Sequence, residues 1–339
     1  MVKEQINRLV SKGIFPEDSG KRELIETHIS WVIVCNQFVY KIKKPLHYSF
    51  LNFSTLAKRK HFCNKEIELN KRLTENIYLD VQAVHKWQDT FVVGGNRGPI
   101  IDYAVRMNKV DREKQMDHLL IKNKVTESDI KNLAKKIAFF HKHAAIIHKK
   151  NFLDIQEKFN DLKAQKAYLA KQLGRKYRRI ITHAIEASNL FFQKNSELLV
   201  SRLNKGFFRD CHGDLHSRNI FLLPVPVPFD CIEFNDDLRQ IDVLNEVAFL
   251  CMDLDAFGRP DLSYLFIRYY NRFFPTMKSS EARSLFIYYK AYRANVRAKV
   301  NSLRAKSTRD RMDKTKALTE SKKYLQLMNS YLKSPEYLQ

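Results

Sequence analysis

The stretch Cys211-His212-Gly213-Asp214-Leu215-His216-Ser217-Arg218-Asn219-Ile220 is polar at its centre and closed off downstream by two short apolar runs, and nothing else in the chain restricts the fold as much. The runs are Phe221-Leu222-Leu223 and Phe229-Asp230-Cys231-Ile232-Glu233-Phe234, with Pro224, Pro226 and Pro228 between them. Proline lacks an amide donor, so the pattern predicts a β-hairpin whose connection is not strand and whose second strand carries acidic residues. His212, Asp214 and His216 have the chemistry of zinc ligands, but no further His or Cys follows at ligand spacing, and a metal cluster is the weaker reading. The flanking strands also argue against a surface turn without chemistry.

The centre of the stretch reads H-G-D-x-x-x-x-N, which sets Asp214 and Asn219 at the same interval as the acid and amide of the kinase catalytic loop H-R-D-x-x-x-x-N. Phosphoryl transfer to a hydroxyl needs a carboxylate to orient the acceptor and take its proton. It also needs an amide oxygen nearby to hold a magnesium ion on the nucleotide phosphates. Asp214 suits the first task and Asn219 the second, with His212 completing the catalytic set. Together, His212 to Asn219, Phe229 to Asp236 and Ile241 to Ala248 resemble the aminoglycoside phosphotransferase and choline kinase superfamily of protein-kinase-like enzymes. The resemblance is closer still to a bacterial branch whose acceptor is not established, and it spans roughly residues 25–305. It implies an α+β, two-lobed protein-kinase-like fold: a small antiparallel-sheet N-lobe over residues 1–107 and a larger, mostly helical C-lobe over residues 108–339. It also implies ATP or GTP with Mg2+, and a small-molecule hydroxyl as acceptor.

Residues 3–12 carry a weak helical pattern, and residues 29–43 are rich in β-branched and aromatic side chains broken by Asn36-Gln37, which predicts a hairpin. A kinase-like fold places a phosphate-binding lysine on such a strand; Val39-Tyr40-Lys41 resembles that strand, which makes Lys41 the candidate and Lys43, on the same face by alternation, the reserve. The turn has no glycine, so a Gly-rich phosphate cover is missing. Residues 54–73 form a strong helix capped by Ser54 or Thr55, with Phe62, Glu66, Leu69 and Leu73 on one stripe. A carboxylate on an apolar stripe needs a cation, and the resemblance makes Lys41 the partner of Glu66, whereas Glu68 falls off the stripe. Strand-like pieces follow at 81–84, 90–93 and 99–107. The resemblance leads the last of these into a hinge, where backbone groups around Tyr103, Ala104 and Val105 would read the adenine edge; a buried core strand is the plain alternative.

After Met107 the chain turns helical. Thr126-Glu127-Ser128-Asp129 is a capping sequence for a helix to about His148, and long charged helices follow around 155–173 and 178–203, with Arg175 to Arg179 as a solvated turn between them. His141, His143 and His148 read as ordinary helix residues. Residues 241–254 are apolar enough for a buried helix that Asp242 caps and, by the resemblance, braces. Beyond Leu285, Lys290, Arg293, Arg297 and Arg304 make a basic stripe, the first three being substrate candidates; residues from about 305 read as charged helix, partly frayed.

For the second metal ligand, Asp230 and Glu233 both lie at a suitable distance from Asn219, and on a strand they would face opposite ways. The resemblance pairs an aliphatic residue with the acid, so Ile232-Glu233 is favoured and Asp230 is expected to serve stability. A formal charge of +23 favours anionic partners and disfavours a polycationic acceptor, leaving one that is neutral or anionic. A catalytically degenerate binding protein and a basic nucleic-acid-binding protein are the rival readings, the second without an RNA or helix-turn-helix motif to support it. Five cysteines without a C-x-x-C pair indicate neither a disulfide framework nor a zinc ribbon. Gly94-Gly95-Asn96-Arg97-Gly98 lacks the Gly-Lys-Ser/Thr of a Walker A loop and reads as a turn. No apolar run is long enough to span a bilayer and the start lacks a signal-peptide core, so a cytoplasmic protein with no membrane association is expected.

Overall fold

Alternation along Phe38–Lys43 sends Tyr40 and Ile42 to one face of a sheet and Val39, Lys41 and Lys43 to the other, and the first part of the structure follows from that parity. The structure is a computed structural model that describes residues 1–16 and 20–338. Its fold is α+β, and it divides into two compact units, Met1–Leu119 with Arg218–Arg239, and Leu120–Ser217 with Gln240–Gln339. The expected break after Met107 therefore falls inside the first unit, and residues 218–239, expected in the helical part, cluster with the sheet.

The first unit holds a six-stranded antiparallel sheet made of β1 (Glu23–Glu26), β2 (Ser30–Val34), β3 (Phe38–Lys43), β4 (Tyr78–Trp87), β5 (Thr90–Val93) and β6 (Ile100–Asn108), in the order β1-β2-β3-β6-β4-β5. Strand β1 went unread in the sequence because its four residues, Glu23-Leu24-Ile25-Glu26, are too short and too charged at the ends to stand out. Trp31, Ile33, Tyr40, Ile42, Val84 and Ala104 form a buried cluster on one face, with Ile6 and Leu9 of α1 (Lys3–Lys12) in it. Fully burying side chains such as Ile6 and Leu9 is worth about 1.5–3 kcal/mol each, enough to fix a helix of weak pattern. On the other face, Val39, Val105 and Met107 pack with Cys63 and Ile67 of α2 (Leu56–Lys71), which Thr55 caps by accepting the Lys58 amide at 3.2 Å.

Parity fails further along. Only Ile220–Phe221 and Val227–Pro228 pair as strand, and residues 229–235 are irregular, with Asp230 at φ +63 in the left-handed region. That conformation costs a non-glycine residue about 1–2 kcal/mol and breaks the alternation on which the reading of this run as a strand depended.

The second unit is mostly helical. Thr126 and Asp129 form the expected reciprocal cap, but the helix they open, α3 (Glu127–His143), ends before His148, because Ala144 is extended and Ile146 bridges to Arg209. Gly174, at φ +102, makes the turn expected of Arg175 to Arg179, which instead begin α4 (Arg175–Asn204). The helix α5 (Val243–Ala256) is buried from Val243 through Leu254. Next come α6 (Pro260–Phe273), α7 (Ser280–Ser307) and α8 (Arg311–Tyr331), the last buried along Ala317, Ser321, Tyr324, Leu325 and Met328 rather than frayed. Among the described residues no helix is long and apolar enough to cross a membrane.

Asp242 caps α5 by accepting the Leu244 amide at 2.8 Å, and it takes Arg202 through both oxygens, at 2.5 and 2.8 Å. Both side chains are buried, so removing one strands the other. Arg202→Leu is expected to cost about 3–5 kcal/mol in urea unfolding. A loss below 1 kcal/mol would show that the brace carries no stability.

Candidate active site

Glu66 projects from α2 toward the face of β3 that carries both lysines. Lys41 Nζ donates to Glu66 Oε1 at 2.8 Å and Lys43 Nζ donates to Oε2 at 2.7 Å, so each carboxylate oxygen holds one ammonium. Each lysine then reaches one further acid: Lys41 donates to Asp230 Oδ1 at 2.5 Å, and Lys43 donates to Glu233. Three carboxylates thus face two ammonium groups, and the surplus is negative. Burial alone would push the Glu66 carboxyl up, but Lys41 and Lys43 overcome it and hold it down at about 2. At the end of the chain of charges, burial and the nearby Glu66 charge outweigh Lys43 and leave the Glu233 carboxyl raised. Burial likewise works against the Lys41 ammonium, yet Asp230 and Glu66 keep it well above its ordinary value.

The turn carrying the two outer acids is held in place from α2 and the sheet. The Asp230 amide donates to the Tyr78 hydroxyl at 3.0 Å, the Cys231 amide to Asn70 Oδ1 at 2.9 Å, and Arg239 to the Ile232 carbonyl at 2.9 Å. The result separates the two acids in the opposite sense to the strand reading. Asp230 keeps 43 % of its side chain exposed, whereas Glu233 keeps 4 % and is committed to Lys43. The preference for Glu233 over Asp230 as the cleft-facing metal ligand is opposed by these side chains: Asp230, at left-handed backbone, is the accessible acid and Glu233 is sealed in. Asn219 is buried and, like Asp230, belongs to the first unit.

Tyr103, Ala104 and Val105 do not sit at a hinge. They lie in the middle of β6, where Ala104 and Val105 pair with Ile42 and Lys41 on one side and with Gln82 and Val81 on the other. Their backbone groups are committed to the sheet, so the adenine-reading role expected there is corrected to that of a core strand.

In the second unit, His212, Gly213 and Asp214 lie on a loop whose backbone is pinned by α5 and α7. Glu246 accepts the His212 amide at 2.6 Å and the Gly213 amide at 3.0 Å, while Arg293 donates to the Gly213 carbonyl at 3.4 Å and to Asn245 at 2.7 Å. Gly213, at φ +89, supplies a conformation that a residue with a side chain rarely adopts. Further along, Asp253 Oδ2 accepts both the amide and the hydroxyl of Ser217, at 2.9 and 2.5 Å. Asp214 itself keeps 38 % of its side chain exposed, with His216 Nε2 at 3.4 Å from its Oδ2. Burial would raise its carboxyl, but His216, His212 and Arg297 together hold it well below the ordinary range. His212 is buried, its Nδ1 accepting the Asp214 amide at 3.2 Å, so it shapes the loop from within.

The sequence reading missed Glu246, Asp253 and Asn70, although the signal that found Glu66 was present: a polar side chain inside a buried helical stripe. Of the basic stripe, Lys290 is paired with Asp255 at 2.5 Å and Arg293 is spent on the loop, which corrects their expected role as substrate residues. Arg297 has no carboxylate at ion-pair distance among the described residues; its partner is Tyr324, and its Nε is unbonded.

No protein-family model matches the chain. It is 29% identical over 290 residues to uncharacterized proteins of Mycobacterium tuberculosis and Mycobacterium bovis, a match covering 82% of this chain and 54% of each of those. The chain thus spans about half the length of the curated relatives it matches. Among solved structures, a choline/ethanolamine kinase family protein from Mesorhizobium loti superposes with a TM-score of 0.52 at 12% identity, covering 100% of this chain and 97% of that one. An aminoglycoside 2'-phosphotransferase in complex with GDP gives 0.54 at 14% identity, covering 95% and 96% of the two chains. A GDP and kanamycin complex of a related phosphotransferase gives 0.53 at 13% identity, covering 94% and 98%. The fold is that of the choline kinases and aminoglycoside phosphotransferases. Within this kinase-like fold the motif H-G-D-x-x-x-x-N crosses between the two units, which divide after Ser217.

Two stability measurements test the cluster. Lys43→Met leaves Glu233 buried without a cation and is expected to cost about 3–5 kcal/mol, most of it regained in Lys43→Met/Glu233→Leu; a double variant no better than the single one contradicts the pairing. The Glu66 carboxyl is depressed on folding from an ordinary value of 4.5 to about 2, so its contribution is complete above pH 4.5 and is lost as pH falls toward 2. Glu66→Gln should therefore lose less stability than the wild type between pH 5 and pH 3, and parallel losses would contradict the shift.

Proposed function

We propose that the protein transfers the terminal phosphoryl group of ATP or GTP to a hydroxyl of a small molecule. The observation that carries the proposal is the state of Lys41: its ammonium is kept charged by Glu66 and Asp230, which take two of its three donors and leave one for a phosphate oxygen. A Lys–Glu pair of this kind beside an exposed aspartate is what a nucleotide-phosphate site requires. Two of the similar solved structures are complexes with GDP, which supports offering both nucleotides in assays.

Asp230 and Asn219 present oxygen donors only, and the Asp230 carboxylate is accessible beside a cluster with surplus negative charge, a donor set that fits magnesium. When bound, the ion would neutralise charge on the phosphate oxygens. Asp214, ionised and half-buried on a pinned loop, accepts the hydrogen bond of the acceptor hydroxyl and takes its proton as the new O–P bond forms. Holding that loop rigid keeps the hydroxyl aligned, and alignment supplies much of the rate in reactions of this class.

Magnesium-dependent consumption of ATP or GTP across a panel of hydroxyl compounds tests the reading. Asp214→Asn and Asp230→Asn should each lower turnover by about 10²-fold or more, while Glu233→Gln keeps turnover and lowers the melting temperature. If Asp214→Asn consumes nucleotide as fast as the wild type, phosphoryl transfer by this loop is refuted. If Glu233→Gln is inactive at an unchanged melting temperature, the metal belongs to Glu233.

A further inference from the structure

Three buried or half-buried acids of the second unit are already hydrogen-bonded, whereas one cation, bonded to Tyr324, keeps a buried donor without a partner. Glu246 holds two backbone amides, Asp253 holds both donors of Ser217, and Asp255 takes Lys290 and the Tyr331 hydroxyl. Arg297, on α7, has no carboxylate at ion-pair distance among the described residues, and its Nε is buried without a hydrogen-bond partner. Its guanidinium lies 5.5 Å from the ring centroid of Tyr324 on α8 and also hydrogen-bonds with that side chain. Its charge acts on both Asp253 and Asp214.

A guanidinium offers five donors in a rigid planar fork matched to the two oxygens of a carboxylate or phosphate. Leaving a buried donor unmade is costly, and such a group beside a reacting acid has the form of a receptor. Of the second-unit acids named, Glu246, Asp253 and Asp255 already accept hydrogen bonds, and none is set aside for a cationic acceptor. Arg297 and Asp214 belong to the same unit, and it is Asp214 that meets the acceptor, so the acceptor is the ligand this guanidinium serves.

We propose that Arg297 binds an oxyanion, a carboxylate or a phosphate group, carried by the acceptor whose hydroxyl meets Asp214. The inference rests on the phosphoryl-transfer reading and narrows its substrate to hydroxyl compounds that already bear an anionic group. In the reaction the acceptor oxygen bonds to the terminal phosphorus, the bridging bond to the nucleoside diphosphate breaks, and the proton passes to Asp214. The anionic group is unchanged and serves only to hold the acceptor.

The experiment uses acetate and inorganic phosphate as probes, titrated calorimetrically into the full chain with nucleoside diphosphate and magnesium saturating. One of the two should bind the wild type saturably and bind Arg297→Gln about tenfold or more weakly, as expected for a charge-assisted contact. Arg297→Lys should keep part of the affinity, and all three proteins should bind the nucleoside diphosphate alike. The probe that binds tells carboxylate from phosphate. Binding of neither anion to the wild type overturns the inference, and so does equal binding by Arg297→Gln or a loss that falls on the nucleoside diphosphate. Nucleotide consumption by wild type and Asp214→Asn, measured in parallel, separates the two levels: loss of Asp214 dependence sinks the reaction, while normal dependence without anion binding sinks only the anionic acceptor.

Discussion

One carboxylate sets the geometry of the first unit. Glu66 gives one oxygen to Lys41 and the other to Lys43, and through them the positions of Asp230 and Glu233 are fixed as well. Such a cluster is costly to bury, since each ion loses several kcal/mol of hydration before any partner is counted. It is tolerated because each carboxylate oxygen of Glu66 has its own donor and because the turn at 230–233 is separately tied by Tyr78, Asn70 and Arg239. The outcome is a stiff turn with one acid sealed in and one acid left out.

The second unit solves a similar problem with backbone instead of lysine. Glu246 and Asp253 lie on α5, a helix buried from Val243 through Leu254, and both acids accept amides of the loop carrying Asp214. Burial raises the Glu246 carboxyl, but His141, His212 and Arg293 bring it below its ordinary value, so it stays an acceptor. The loop is thus held by a helix that is itself fixed at its start by Asp242 and Arg202.

Much of this was legible in the residues. A carboxylate on an apolar helical stripe called for a cation beside Glu66, the resemblance named Lys41, and the capping sequence at Thr126 and the cap at Asp242 are where the pattern put them. The fold class came from the resemblance carried by His212 to Asn219 and the runs after it, while alternation and helical periodicity placed individual elements because they report burial. What failed was anything that depended on backbone departing from those two periods. The left-handed residue at Asp230 reversed the choice between two acids three positions apart, and only a glycine there would have announced it. At Ala104 and Val105 the residue types are those of any core strand, and nothing local reveals that both edges are paired. The basic stripe on α7 was visible as charge, but that Lys290 and Arg293 are spent depends on Asp255 and Asn245, which lie far away in sequence.

The two turns that join β1, β2 and β3 contain no glycine. In the first, the Thr27 hydroxyl accepts the Ser30 amide and donates to the Ser30 carbonyl, both at 2.9 Å; in the second, the Gln37 carbonyl accepts the Lys109 amide at 2.8 Å. The first turn is closed by its own side chain and the second is tied to the segment after β6, and neither has the glycine that lets a ligand approach the backbone closely. If a phosphate chain is held here as proposed, the contact falls to Lys41 and a bound magnesium ion, with no cover of glycine amides from these turns to share it.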